Sequence, residues 1–273
     1  MDSSRRLGYG GSAEIVPSGG FAVQLLITSG SFDAAVSPSY NNMVDIDPVQ
    51  VTRSKVLHAT GTAEFSASLS FDVTKAAMGV LTKTTLLKRR YPFDLGINDG
   101  TDSFVLKDCY LTQLSLSGAP GGLISAQLSA MAKEKRISQA ILNAYVLDAN
   151  RVGATTPNQK PLGYWWSGGA DIRDWTLTMT QSVTPMYLNE PLVLTYAPPK
   201  YLKVGLIEYT LEVNLYADPA GPNAVINIVT ETFTLTGQTT ANGYTFNGVN
   251  DLGMYSHSFM TSALNSSDSV IIS

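Results

Sequence analysis

The feature that most limits what this chain can fold into is a strict two-residue alternation of apolar and small polar side chains. Between Ala63 and Val73, the apolar Phe65, Ala67, Leu69, Phe71 and Val73 alternate with Glu64, Ser66, Ser68, Ser70 and Asp72. Successive side chains of a strand point to opposite faces, so this segment reads as a strand with one buried and one wet face. Trp175–Thr180, Tyr110–Leu116, Glu208–Tyr216 and Thr230–Leu235 repeat the pattern, which is that of an antiparallel sheet covered on one side. The wet faces are written in Ser and Thr. That explains a charged fraction of only 15%, against about 25% for an ordinary domain, and the branched Cβ of Thr suits a pleated surface.

A chain of 273 residues with 44% apolar content can bury a sizeable core and is not a disordered sequence. Its net charge of −4 argues against a nucleic-acid binder, which needs a basic face to release counterions. A single cysteine cannot make an internal disulfide. The start, Met1-Asp2-Ser3-Ser4-Arg5-Arg6-Leu7-Gly8, lacks the apolar segment of a signal peptide. The run Phe21–Ile27 is too short to cross a bilayer. The expectation is a protein made and kept in a reducing cytoplasm.

Turn signals divide the strands. Asn98-Asp99-Gly100-Thr101 carries an Asp-Gly pair suited to a hairpin. Gly118-Ala119-Pro120-Gly121-Gly122 separates Tyr110–Ser117 from Leu123–Ala132, and Asp218–Asn223 separates Leu206–Ala217 from Ala224–Gly237. Three segments carry helical signals. Thr74–Leu81 opens on a good N-cap, Thr184–Leu188 has Pro at the first helical position, and Lys133–Leu147 has a helical stripe that also fits a strand. The order strand, short helix, strand, Pro/Gly turn, return strand occurs twice, with Ser68-Leu69-Ser70-Phe71 matching Thr176-Leu177-Thr178-Met179. The expected fold is therefore mainly β: two tandem antiparallel β-sandwich or half-barrel domains, 1–148 and 149–273, each with a short flanking helix.

Chemistry is sparse. His58 and His257 are the only histidines, so no metal spacing can be written, and each reads as an ordinary sheet or surface residue. Cys109 has no basic partner nearby in sequence and reads as a small buried hydrophobe. Gly8-Tyr9-Gly10-Gly11 lacks the strand before and the Gly-Lys-Ser/Thr after that a phosphate loop requires, and no GxSxG elbow exists. The reading is of a protein that is not an enzyme and carries no cofactor. Asp45 and Asp47 fit one strand face, as a solvated acidic edge or as a cation or acid pair. The run Lys88-Arg89-Arg90 fits a charged edge or a docking point for an acidic neighbour. Gly163-Tyr164-Trp165-Trp166-Ser167-Gly168-Gly169 fits either rings packed on a neighbour or a platform for stacking sugars.

What remains is a surface for partners. Ser31–Lys55 is too long for a simple loop of a compact sandwich and reads as a hairpin arm reaching to a neighbour. Met1–Gly20 and Thr239–Ser273 read as segments that order only on assembly. The expected inter-subunit contacts are Tyr40, Asp45, Asp47, Arg89, Arg90, Trp165 and Trp166.

The run Gly61-Thr62-Ala63-Glu64-Phe65-Ser66-Ala67-Ser68-Leu69-Ser70-Phe71-Asp72-Val73-Thr74, a strand feeding a short helix, resembles the tail tube proteins of tailed bacteriophages. Asp171–Leu188 is similar to the same element. The resemblance, over most of residues 20–250, implies β-sandwich or half-barrel domains of tail-tube type and homo-oligomeric rings stacked into a tube. The inner sheets would join as a β-barrel around a channel for DNA passage. It implies that Ser31–Lys55 is the long inter-subunit loop and that there are no catalytic residues. A duplicated domain implies a trimeric ring imitating sixfold symmetry, with a hexamer of one tube and one decoration domain as the other arrangement. Partners would be the chain itself, other tail proteins and DNA as passing cargo, with no membrane. The place would be the virion tail, assembled in the bacterial host cytoplasm. A tail-tip or connector ring of the same fold and a carbohydrate-binding module on Trp165 and Trp166 are the alternatives.

Overall fold

A computed structural model describes residues 4–6, 12–17, 22–46, 53–74, 77–78, 81, 92–98, 103–119, 122–136, 172–187, 198–216, 225–230, 233–238, 243–247, 254–261 and 270–272, with the backbone alone at 4–6, 12, 31–46, 53–61, 243–247, 254 and 270–272. The strands in chain order are β1 (Ser4–Arg6), β2 (Ser12–Pro17), β3 (Val23–Ile46), β4 (Arg53–Asp72), β5 (Phe93–Asn98), β6 (Ser103–Gly118), β7 (Ser125–Ala132) and β8 (Glu134–Arg136). They continue as β9 (Ile172–Met186), β10 (Tyr201–Leu215), β11 (Ile226–Val229), β12 (Thr234–Gly237), β13 (Gly243–Asn247), β14 (Met254–Thr261) and β15 (Val270–Ile272). The protein is mainly β, as the alternation requires.

Six strands close on themselves. β6 pairs with β5, β5 with β2, β2 with β3, β3 with β4, β4 with β7, and β7 returns to β6, forming a closed β-barrel. Closure removes the open edges that a sheet otherwise exposes. β6 serves two structures because it is long. Its first half pairs with β5 at Phe93↔Cys109 and Leu95↔Leu106, and its second half pairs along the same edge with β9, from Gln113↔Thr180 to Gly118↔Trp175. From β9 the sheet continues through β10 and β14 to β13. A three-stranded sheet, β11-β12-β15, forms a second layer. Its Phe233 ring meets Trp175 edge-on at 6.2 Å, and Phe259 of β14 closes over Gly237, where any Cβ would lie 2.5 Å from the ring.

One apolar cluster runs through both parts. In register across the sheet, Phe71, Ala126, Leu116, Leu177, Leu211 and Phe259 form one row, and Leu69, Leu128, Leu114, Met179 and Tyr209 the next. All are buried. Alternation thus places one side chain per strand per row in the core, and the antiparallel ladder aligns the rows.

Several expectations need correction. Ala13 and Ile15 of β2 are fully buried and β2 bridges β3 to β5, so part of Met1–Gly20 is integral to the barrel of a single chain. β13, β14 and β15 likewise take up much of Thr239–Ser273 as paired strands. Thr184-Pro185-Met186 is strand, not the start of a helix. Pro185 opposes Leu202, and beyond Thr180 the other edge of β9 has no ladder partner among the described residues, so the missing N–H costs no bond there. Glu134–Arg136, within the third helix candidate, pairs with Val105–Lys107 as strand. Ala224–Gly237 is not one return strand. It folds back at Thr230, whose hydroxyl accepts from Phe233 N–H at 3.1 Å and donates to Phe233 O at 2.8 Å, and β10 and β11 lie in different sheets.

The two hairpin readings coincide with the structure. β5 and β6 form a hairpin closed at Asn98↔Ser103. β6 and β7 form another at Ser117↔Ser125, with Gly122 N–H donating to Ala119 O at 3.0 Å across the Pro-Gly turn. At Thr74 the hydroxyl accepts from Ala77 N–H at 3.1 Å and the carbonyl from Met78 N–H at 2.8 Å, the bonds of a helix start. Ala77, Met78 and Leu81 have helical backbone and are buried. The rest of that segment lies outside the described residues, as does the expected boundary at 148. The two sets of strands aligned by the internal likeness differ in pairing: β4 lies between β3 and the return strand β7, whereas β9 lies between β6 and β10 and the strand after the second turn, β11, is in the other sheet.

Candidate assembly surface

The second face of the large sheet carries the polar half of the alternation. Registers place Asp72, Ser125, Ser117, Thr176, Glu212 and Ser258 in one row; Ser70, Gln127, Ser115, Thr178, Thr210 and Met260 in the next; and Ser68, Ser129, Gln113, Thr180 and Glu208 in a third. Neighbouring hydroxyls bond across strands: Ser117 to Ser125 at 2.9 Å, Ser115 to Thr178 at 3.2 Å and Ser68 to Ser129 at 3.3 Å. These three rows contain carboxylates but no Lys or Arg. The face therefore offers many short neutral hydrogen-bonding groups and a mild negative charge. Within these three rows no cation is present to hold a phosphate by charge.

Two ribbons leave this sheet at one end. β7 covers β4 only from Phe65 to Asp72, and β1 covers β3 only at Ser31–Asp33. Beyond them, Ala35–Ile46 and Arg53–Glu64 have only each other as ladder partners among the described residues. At the usual strand rise this ribbon is about 40 Å long. The expected arm Ser31–Lys55 supplies one strand of it, to Ile46, and the partner strand, Arg53–Glu64, runs on past Lys55, with Tyr40 opposite Ala59 and Asp45 opposite Ser54. The second ribbon is shorter: Gln181–Met186 against Tyr201–Ile207, beyond the reach of β6 and β14. A register shift between Val204 and Ile207 bends it, and Gly205 sits there with Ser182 Oγ where a Cβ would be.

Tyr187, at the end of the short ribbon, joins the two. Its hydroxyl lies 3.3 Å from Ala63 O and 3.5 Å from Glu64 Oε1. Ala63 is where β4 has lost β7, so the phenol reaches a carbonyl that the ladder has left. Burial, and then the Glu64 carboxylate, raise the Tyr187 phenol above its ordinary pKa, which keeps it a donor.

At the barrel end, β5 and β6 form a bulge in which Lys107 and Asp108 oppose the single Asp94. Asp108 has φ 52°, a left-handed conformation that Asp tolerates. Its N–H donates to Asp94 Oδ1 at 3.1 Å, and Lys107 Nζ pairs with Asp94 Oδ2. Cys109 follows, buried and donating to Leu106 O at 3.3 Å. Burial above all, with the Asp94 charge, pushes its thiol well above the ordinary value, which leaves it without nucleophilic character at neutral pH.

Of the residues predicted as contacts, Tyr40 and Asp45 fall on the long ribbon; Asp47, Arg89, Arg90, Trp165 and Trp166 lie outside the described residues. His58 is on the long ribbon opposite Asn41. His257 is fully buried on β14, stacked on Phe259 at 6.1 Å, not at a surface. Sequence reasoning missed Tyr187 and the exposed Met186, Tyr201 and Leu206 of the short ribbon, because it assigned Thr184–Leu188 to a helix start. The signal was present as the broken alternation of Val204-Gly205-Leu206-Ile207. Among the described residues, no group of three or more His, Cys, Asp or Glu could hold a metal ion, and no helix is long and apolar enough to cross a membrane. No protein family matches the chain, and no curated protein matches it in sequence.

Proposed function

We propose that the chain is a structural subunit of a bacteriophage tail tube, whose rings stack to enclose a channel for DNA passage. The observation that carries this reading is the in-register hydroxyl face across β4, β7, β6, β9, β10 and β14, with carboxylates and no Lys or Arg in its three rows. Turned inward, such a wall lets a polyanion slide, since phosphates find no cations with which to exchange counterions. The long β3–β4 ribbon supports the same reading as the arm by which one subunit reaches the next. The tandem tail-tube units would be the barrel before residue 148 and the layered strands after it, giving a trimeric ring. A tail-tip or connector ring would use the same surfaces.

The test is electron microscopy of the concentrated full-length chain, where rings or short tubes are expected. With Ser115→Cys, a bulky polyethylene-glycol maleimide should modify the disassembled protein and be excluded from tubes. A monomer that persists at high concentration refutes the assembly reading. Equal modification in tubes and monomer refutes the inward orientation of the face.

A further inference from the structure

Past Gln113↔Thr180 the strand β6 leaves β9, and past Phe65↔Ala132 the strand β7 leaves β4. Since β10 and β3 take the other edges of β9 and β4, the edges Gln181–Met186 and Arg53–Glu64 are turned toward each other, without ladder partners on that side among the described residues. Where four strands still lie side by side, from Thr180 through Gln113 and Ser129 to Ser68, β9 and β4 are three strand spacings apart, about 14 Å. At Tyr187 that separation has shrunk to one side chain and its 3.3 Å hydrogen bond to Ala63 O. The short ribbon leans across the gap.

Three observations mark it as a movable element. It is two-stranded, ending at Lys200 N–H to Met186 O at 2.9 Å, and a hairpin alone is marginally stable. Met186, Tyr201 and Leu206 are 48%, 59% and 76% exposed, so little apolar contact anchors it. Its root is imperfect. The ladder slips between Val204 and Ile207, and Gln181, opposite Ile207, is 8% exposed with an Nε2 that no hydrogen bond satisfies among the described residues. A buried amide left without a partner favours any state in which water reaches it.

We infer that the short β9–β10 ribbon is a hinged arm, turning at the Gln181–Ile207 root and latched shut on β4 by Tyr187. Closed, the phenol occupies Ala63 O and ties the arm to the base of the long ribbon, so that the two ribbons move as one. Open, Gln181 is hydrated, Ala63 O is released and the ribbons move separately. Tyr187 is thus a positioning residue, and the unmet amide of Gln181 opposes it. The two states belong to the single chain, so the inference does not rest on the proposed assembly.

Distance measurement between two spin labels tests it. Ser66→Cys on β4 and Met186→Cys on the arm both replace exposed side chains, and the chain's one native thiol, Cys109, is buried. The labelled full-length chain is diluted into an excess of unlabelled chain, so that only distances within one copy are read, whether or not rings or tubes form. Pulsed electron resonance should give one dominant distance. Tyr187→Phe, which keeps the ring and removes the hydroxyl, should raise a second, longer population about threefold to tenfold, as the loss of one neutral hydrogen bond allows. Gln181→Met, close in volume and without the amide, should act in the opposite sense and lower that population severalfold. Hydrogen exchange should localise the change: in Tyr187→Phe the amides of Val183–Met186 and Tyr201–Val204 exchange faster by the same factor, and those of Trp175–Thr180 do not. A distance distribution unmoved by Tyr187→Phe overturns the inference, as does a shift of both variants in the same direction. Faster exchange spread over the whole sheet overturns it as well, since that is general destabilisation. Should Gln181→Met fail to fold, Tyr187→Phe decides alone.

Discussion

Replacing Gly118 with Ala tests the joint between the barrel and the layered strands more directly than any other single change. Gly118 is the last residue of β6 and lies in register with Trp175 of β9. A Cβ there would sit 2.9 Å from Cε2, Cζ2 and Nε1 of the indole. That is nearly 1 Å inside ordinary contact, against a rigid ring. The indole is 1% exposed, with Phe233 on its edge, so it cannot swing into solvent. Overpacking of this kind costs about 1–3 kcal/mol. Opposing it is the loss of unfolded-state freedom on Gly→Ala, about 0.4–1 kcal/mol, since Gly118 has no left-handed φ to preserve. The net expectation is a loss of about 0.5–2 kcal/mol in urea unfolding followed by circular dichroism. Trp175→Leu will itself be costly, by about 3 kcal/mol or more, as large-to-small core changes are. In that background, however, Gly118→Ala should be neutral or stabilising, because the clashing atoms are gone. The measured quantity is the coupling between the two changes. Equal cost of Gly118→Ala in both backgrounds would refute the claim that these residues touch, and with it the β6–β9 pairing that makes one sheet of two parts.

Two further outcomes follow from local chemistry. The Cys109 thiol is raised in the folded chain above its ordinary value of 9.0, so unfolding releases its proton above that pH. Its contribution is intact below pH 9.0 and is lost as pH rises toward the folded value, with a slope approaching about 1.4 kcal/mol per pH unit; urea titrations between pH 8 and 10 should show this slope, and Cys109→Ala should abolish the thiol's part of it. At the β5–β6 bulge, Asp108→Gly should be nearly neutral, whereas Asp108→Val should cost about 1–2 kcal/mol for a branched residue at positive φ; equal melting temperatures for the two variants would contradict the left-handed backbone.

Much of the architecture was legible because it is local. The apolar positions Phe65, Leu69, Phe71, Leu114, Leu116, Leu177 and Met179 are all buried where alternation put them, and the hydroxyl residues between them form the opposite face. The turns at Asn98–Thr101 and Gly118–Gly122 mark real hairpins. The helical reading of Thr184–Leu188 failed because Pro at a first helical position and Pro on an open strand edge look alike in sequence. Only the neighbours of β9 distinguish them. The buried place of His257 was equally hidden, since a Ser-rich stretch around it gave no sign that β14 would pack against β10.

The sequence alone determined the strands that alternate strictly, such as Ala63–Asp72, Tyr110–Leu116 and Trp175–Thr180, and which side of each is wet, because a side chain's direction depends only on its position in a period of two. It determined as well that the wet side would be hydroxyl and weakly acidic. Tertiary structure decided which strands lie together: that β7 closes the barrel on β6, that β6 also carries β9, and that β4 and β9 continue past their neighbours as ribbons. Pairing joins residues far apart in the chain through backbone groups that every residue carries, so the choice of partner is set by how the apolar rows fill a shared core.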